Sequence, residues 1–239
     1  MTESTSPAVR NRLALALDTD DLVDALRMAK EFEPWFGVAK VGLELFSATG
    51  PESVSALAER GWKVFLDLKL HDIPTTVNRA AVVLGTLGAT YLTLHAHGGV
   101  DMLRAGVEGL DAGAANAGLE SPAAIAVTVL TSDDTAPPHI LGKRVATALE
   151  GGCRGIVCAS SDVREAKQLA PRIMAVVPGI RLSGSARHDQ ARAATPASAI
   201  SSGADLLVIG RTVTGAADRQ AAAAAVAEAV AAASTTAPS

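Results

Sequence analysis

Cysteine is scarce in this chain: 239 residues hold two, Cys153 and Cys158. They stand too far apart for a Cys-x-x-Cys motif, and both read as buried thiols in a reducing compartment rather than as a disulfide framework or a redox pair. Long apolar runs are missing too, since no stretch reaches the ~18 uninterrupted apolar residues of a membrane-spanning helix. The opening residues 1–12 lack the apolar centre of a secretory signal. Clustered basic charge is also absent: 21 Lys and Arg stand against 25 Asp and Glu, a net −4 spread along the chain. Nucleic acid and anionic membrane both select for clusters of Lys and Arg, so neither is expected as the main partner. The expectation is a soluble, cytoplasmic protein that acts on small molecules.

What is present is a globular composition, 49% apolar with 21 glycines and 11 prolines. The length is near the roughly 250 residues of one (β/α)8 barrel. A chain of this size removes roughly 70% of its unfolded surface from water. Short β-branched runs alternate with Ala- and Leu-rich stretches, the pattern of parallel βαβ units. Strands are expected at Leu13–Leu17, Gly37–Val41, Lys63–Leu68, Tyr91–His95, Ala124–Leu130, Gly155–Cys158, Ile173–Val177 and Leu206–Ile209. A helix follows each, beginning near Asp21, Pro51, Thr75, Val100, Pro137, Ser161, Pro196 and Thr212. Eight such pairs predict an α/β fold, a single (β/α)8 TIM barrel. A doubly wound open sheet is the alternative, but the Gly-x-Gly-x-x-Gly turn that usually follows its first strand is missing. No repeat of solenoid length occurs. The expected division is a flexible segment over 1–12, a catalytic barrel over 13–233 and a disordered tail over 234–239.

The catalytic face of such a barrel lies where strands end and loops begin. These positions hold Asp18, Lys40, Asp67 with Lys69 and Asp72, His95 with His97, Thr131 with Ser132, Arg181, and Gly210 with Arg211. Any one of them alone is an ordinary solvated loop residue. A whole set at the same end of successive strands marks a site. Period-2 geometry puts Asp67 and Lys69 on one strand face, towards the barrel mouth, and Lys40 ends the strand before. Alternating Lys and Asp hold each other ionised. A salt-bridge cluster serving only stability is the competing reading, and buried ion pairs serve that purpose poorly. His95 and His97 form a His-x-His pair of the kind that ligates metals, but no Asp or Glu completes it on that strand. His95 reads instead as a hydrogen-bonding group of the barrel interior.

The run Asp67-Leu68-Lys69-Leu70-His71-Asp72-Ile73-Pro74-Thr75-Thr76 resembles the signature Asp-x-Lys-x-His-Asp-Ile-Pro-Asn-Thr of the orotidine 5′-monophosphate decarboxylase family. Further matches follow in family order: Leu15-Ala16-Leu17-Asp18, Lys40-Val41-Gly42, Leu94-His95-Ala96, Val129-Leu130-Thr131-Ser132, Pro178-Gly179-Ile180-Arg181, Asp189-Gln190 and Ile209-Gly210-Arg211. The resemblance spans essentially all of residues 13–215. It implies conversion of orotidine 5′-monophosphate to UMP and carbon dioxide in de novo pyrimidine biosynthesis. It also implies that no metal or organic cofactor is needed, and that the enzyme is a homodimer with shared active sites.

By the same resemblance the catalytic residues are Lys40, Asp67, Lys69 and Asp72. Asp67 would sit beside the substrate carboxylate, Lys69 would be the proton donor, and Lys40 would join their charged network. Asp18 and Lys40 would bind the ribose hydroxyls, while Asp72 and Thr76 would reach into the partner's site. Thr131 and Ser132 would meet the pyrimidine. Arg181, Gln190, Gly210 and Arg211 would bind the phosphate.

Physical chemistry agrees with these roles. Loss of carbon dioxide from C6 leaves a carbanion with little ring delocalisation, and a cation at Lys69 stands where that charge develops. A carboxylate at Asp67 would repel the departing one. The fork of Arg211 and the backbone N–H groups after Gly210 suit a phosphate. The long stretch 179–193 reads as a lid. Three positions depart from the family pattern: Leu43 for Lys, Thr75 for Asn and Thr212 for Pro. None removes a catalytic group. Two other functions compete. A sugar-phosphate decarboxylase or aldolase on the same barrel uses Asp-x-Lys-x-x-Asp with Mg²⁺, but generally lacks the His-Asp-Ile-Pro continuation and the Lys that ends strand 2. A catalytically inactive nucleotide-binding barrel conflicts with the complete Lys40–Asp67–Lys69–Asp72 set.

Overall fold

The computed structural model describes residues 5–129, 137, 139–182 and 194–236. Along the chain come α1 (Pro7–Arg10), β1 (Leu13–Ala16), α2 (Leu22–Phe32), β2 (Val38–Val41), α3 (Leu43–Thr49), α4 (Glu52–Ala58), β3 (Lys63–Leu70), α5 (Pro74–Gly85), β4 (Tyr91–His95) and α6 (Gly99–Ala117). Then follow β5 (Ala123–Val127), α7 (Ile140–Glu150), β6 (Gly155–Val157), α8 (Val163–Leu169), β7 (Met174–Val177), α9 (Pro196–Ser201), β8 (Leu206–Ile209), α10 (Arg211–Thr214) and α11 (Arg219–Thr236). Each strand pairs in parallel with the next. Leu13↔Leu207, Ala14↔Val208 and Leu15↔Ile209 join β1 to β8 and close the sheet. The expected single (β/α)8 barrel is what forms.

Local chemistry explains where helices begin and end. Asp21 caps α2 by accepting the Asp24 N–H at 2.8 Å. Pro74 opens α5, where a missing N–H is no loss. Thr195 and Ser198 form a reciprocal capping box ahead of α9. Strand residues alternate between two apolar surroundings. Ala14, Ala16, Val38, Phe65, Ile125 and Val208 belong to the cluster that fills the barrel, whereas Leu15, Ala39, Val64 and Leu66 pack in the larger cluster against the helices. Burial on both faces is why the strands read as near-continuous hydrophobic runs. Helices α5 and α6 pack with their backbones close. A Cβ at Gly85 would come within 2.6 Å of the Leu110 carbonyl oxygen.

Several boundaries differ from the sequence expectation. Strand β3 runs on to Leu70 through an irregularity described below, and β5 ends at Val127, with Leu130 outside the described residues. Within the segment expected to be flexible over 1–12, α1 forms and buries Val9. Arg10 donates to the Phe36 carbonyl at 3.3 Å, and Arg12 donates to the Ala204 carbonyl at 2.7 Å and to Ser234 Oγ at 2.8 Å. At the other end α11 continues to Thr236, past the expected boundary at 233.

Candidate active site

Strands β2 and β3 carry the first charges. Val38 and Phe65 point into the barrel, so Lys40 and Asp67, two residues further on, point the same way nearer the mouth. A cavity of about 160 Å³ opens there, with Lys40, Asp67 and Lys69 facing an apolar wall that includes Val127, Val157 and Val208. Lys69 Nζ donates to Asp67 Oδ1 at 2.8 Å. Lys40 Nζ donates to Asp18 Oδ1 at 3.1 Å, with the Lys40 side chain 11% exposed. The charges thus form two ion pairs around one cavity. Gly42 leaves room for the lysine, since a Cβ there would lie 2.9 Å from Lys40 Nζ. A larger groove of about 490 Å³, at Cys153, Arg154 and Arg172, lies at the opposite end of the barrel, before β6 and β7.

Strand β3 leaves the regular ladder at its charged residues. Leu66 pairs with Leu92 and Leu70 with Leu94, so three residues of β3 face Thr93 alone. Within this bulge Lys69 has φ +53, the one positive-φ non-glycine among the described residues. Such a conformation costs about 1–3 kcal/mol and persists where the surroundings over-determine it. Thr93 is fully buried, accepts the Lys69 N–H at 2.8 Å, and donates to Asp67 Oδ1 at 3.0 Å. The expected shared face of Asp67 and Lys69 is therefore reached through a bulge, which re-aims side chains, rather than through simple alternation. Sequence reasoning missed Thr93. The available signal was its place between Tyr91 and His95 on one face of β4.

At the ends of β7 and β8 the site is cationic. Arg181 Nη1 donates to the Ile180 carbonyl at 3.0 Å and to Thr212 Oγ1 at 3.2 Å, while Thr212 Oγ1 donates to the same carbonyl at 2.7 Å. Thr212, a departure from the family pattern, thereby braces Arg181. Burial, and then the charge of Arg211, lower the Arg181 pKa. Two guanidinium groups influence each other in one corner, and an anion there would relieve them. A Cβ at Gly210 would lie 3.6 Å from Asp18 Oδ2, which joins this corner to the Asp18–Lys40 pair. The helix after Gly210 is only four residues long, so its dipole is small and the arginines carry most of the positive charge. Ile180 and Ala194 form a parallel bridge, holding together the two ends of the stretch between them. Most of the expected lid, with Gln190, and both Thr131 and Ser132 lie outside the described residues.

Asp72 and Thr76 are exposed, and Asp72 Oδ1 accepts the Ile73 N–H at 2.7 Å. Neither lines the Lys69 cavity of its own chain. The ring of His95 stacks on His71 at 5.3 Å, and its Nδ1 accepts the His97 N–H at 3.2 Å, in keeping with a hydrogen-bonding role. Burial lowers the His95 pKa, with smaller contributions from His71, Arg144, His97 and Lys69. Among the described residues no three His, Cys, Asp or Glu side chains are grouped to hold a metal ion.

Residues 11–226 match the profile of the Orotidine 5′-phosphate decarboxylase / HUMPS family. A protein named orotidine 5′-phosphate decarboxylase from Paramagnetospirillum magneticum is 43% identical over 219 residues, 87% of this chain and 93% of that one. One of the same name from Thermobifida fusca is 44% identical over 227 residues, 90% of this chain and 94% of its own. The crystal structure of orotidine 5′-phosphate decarboxylase from Lactobacillus acidophilus gives a TM-score of 0.78 at 31% identity, covering 92% of this chain and 99% of that one. With a paired Asp67 and Lys69 at the mouth of a closed barrel and similarity of this extent, the chain belongs to the orotidine 5′-phosphate decarboxylase / HUMPS family.

Proposed function

We propose that this chain converts orotidine 5′-monophosphate to UMP and carbon dioxide in pyrimidine biosynthesis, with Lys69 as proton donor and no metal or organic cofactor. The observation that carries it is the 2.8 Å Lys69–Asp67 pair, set beside Lys40 in an otherwise apolar cavity. Arg181 and Arg211, with Gly210 and Gln190, would take the phosphate. Asp18 and Lys40 would hold the ribose, and Thr131 and Ser132 would meet the pyrimidine. The substrate carboxylate would then fall beside Asp67. As the bond from C6 to the carboxylate breaks, its electron pair stays on C6 and carbon dioxide leaves. The Lys69 ammonium stabilises that charge as it develops and then transfers a proton to C6, ending neutral until solvent reprotonates it. Apolar walls strengthen each of these interactions by keeping water out. Asp72 and Thr76 would complete the site of a second copy in a cytoplasmic homodimer.

An absorbance assay on orotidine 5′-monophosphate, run with and without EDTA, tests this. Turnover should be equal in both. Turnover lost on dialysis against EDTA and restored by Mg²⁺ would overturn the metal independence, and absence of turnover on the nucleotide beside Mg²⁺-dependent turnover of a sugar phosphate would favour the rival chemistry. Tight UMP binding without turnover would favour a nucleotide-binding barrel.

A further inference from the structure

We propose that Thr93 is a positioning residue for this reaction, its single buried hydroxyl fixing both the carboxylate of Asp67 and the backbone of Lys69. The proposal rests on the decarboxylase function proposed above.

Thr93 is the only β4 residue opposite the three-residue bulge Asp67, Leu68 and Lys69. The regular ladder is therefore interrupted over that stretch, and at Lys69 a side chain supplies the partner of the backbone N–H. The Thr93 hydroxyl has one proton and two lone pairs. The proton goes to Asp67 Oδ1 at 3.0 Å, and a lone pair receives the Lys69 N–H at 2.8 Å. One oxygen atom thus ties both ends of the bulge to the barrel wall.

The consequences differ at the two ends. Asp67 Oδ1 also accepts from Lys69 Nζ at 2.8 Å, so the hydroxyl fixes the direction in which the carboxylate presents its charge. Lys69 stands at φ +53, a region that a lysine leaves unless something retains it. A bond to its own N–H is the most direct retainer, because it acts on the backbone torsion itself. Thr93 has 0% exposure, so no water replaces the hydroxyl when it is removed without a change in shape. Its oxygen is committed to Asp67 and Lys69, and the hydroxyl acts on the reacting atoms only through those two residues.

Valine keeps the shape of threonine and removes the hydroxyl, whereas serine keeps the hydroxyl. For Thr93→Val, kcat should fall by on the order of 10- to 100-fold, the loss expected for a hydrogen bond to a charged group. KM, and the affinity for UMP measured by calorimetry, should stay within about threefold because the phosphate and ribose contacts are untouched. Thr93→Ser should recover most of kcat. If valine prevents folding, Thr93→Ala takes its place with the same expected results. Wild-type kcat in the hydroxyl-free variant would overturn the proposal. So would a parallel loss of kcat and UMP affinity, or serine as defective as valine, since each marks general packing. Wild-type protein that fails to decarboxylate orotidine 5′-monophosphate would sink the proposed function instead, and that control is read first.

Discussion

Lys69 and Arg211 are both cations at strand ends, yet they should fail differently when removed. Lys69→Ala deletes the proton donor and the charge beside C6, so turnover should be abolished while UMP still binds. Arg211→Ala loses a charge-assisted contact worth about 1.5–3 kcal/mol, which should appear mainly as weaker recognition of the phosphate. Assaying both variants on the nucleotide and on phosphate-free orotidine separates the roles. Equal damage to both substrates by Arg211→Ala would remove it from the phosphate site. The two cysteines should be unreactive in the folded protein. Burial pushes the thiols of Cys153 and Cys158 up to about 12, so neither presents a thiolate near neutral pH. Iodoacetamide at pH 8 should label neither in the folded protein and both in urea, as read by mass spectrometry. Asp67 and Lys69 were legible from their spacing and their neighbours in sequence. Thr93 was not, because a threonine within a strand is ordinary until the facing strand is known to carry a bulge.

Elements show the same division. The order of strands and helices was legible because apolar runs buried on both faces leave a continuous signal between polar turns. The ends of β3 and β5 were not. Alternation assumes a regular ladder, and three residues of β3 opposite one of β4 break it. The histidines at the ends of β3 and β4 carry a pH dependence. His95 is half-buried, and burial above all, with smaller electrostatic contributions from His71, Arg144, His97 and Lys69, lowers its pKa. Below an unfolded pKa of about 6.5 the unfolded chain takes up a proton that folded His95 resists. Its contribution to stability is therefore present above about pH 6.5 and is lost as pH falls towards the folded pKa. Urea midpoints at pH 7.5 and pH 5.5 should fall more steeply for wild type than for His95→Gln. Identical slopes would mean that His95 does not set this dependence.

In the whole molecule, the segment that follows β3 lies at the surface. Residues 71–76 are all exposed, and Ile73, with 66% exposure, stands beside Asp72. A large exposed apolar side chain next to a residue assigned to catalysis fits a site completed by a second copy. Lys40→Ala and Asp72→Ala should each be nearly inactive alone. Refolded together in equal amounts, they should regain about a quarter of wild-type activity, because half the dimers are mixed and each of those has one intact site. Mixed dimers without activity would return Asp72 to its own chain. The sequence could not have decided this by itself, since a partner's contribution leaves no periodic mark on a chain.

At the far end of the barrel, Arg12 binds Ser234 at 2.8 Å, which sets the first strand's entry beside the last helix. The residues just before β1 and those of α11 are thus neighbours on the side away from the mouth. A linker that joined α11 to α1 would span that side, and a new opening at the exposed turn over residues 118–120, on the same remote side, would leave every strand-to-loop junction at the mouth uncut. The order in which the eight strands are synthesised is thereby separable from the site that they build.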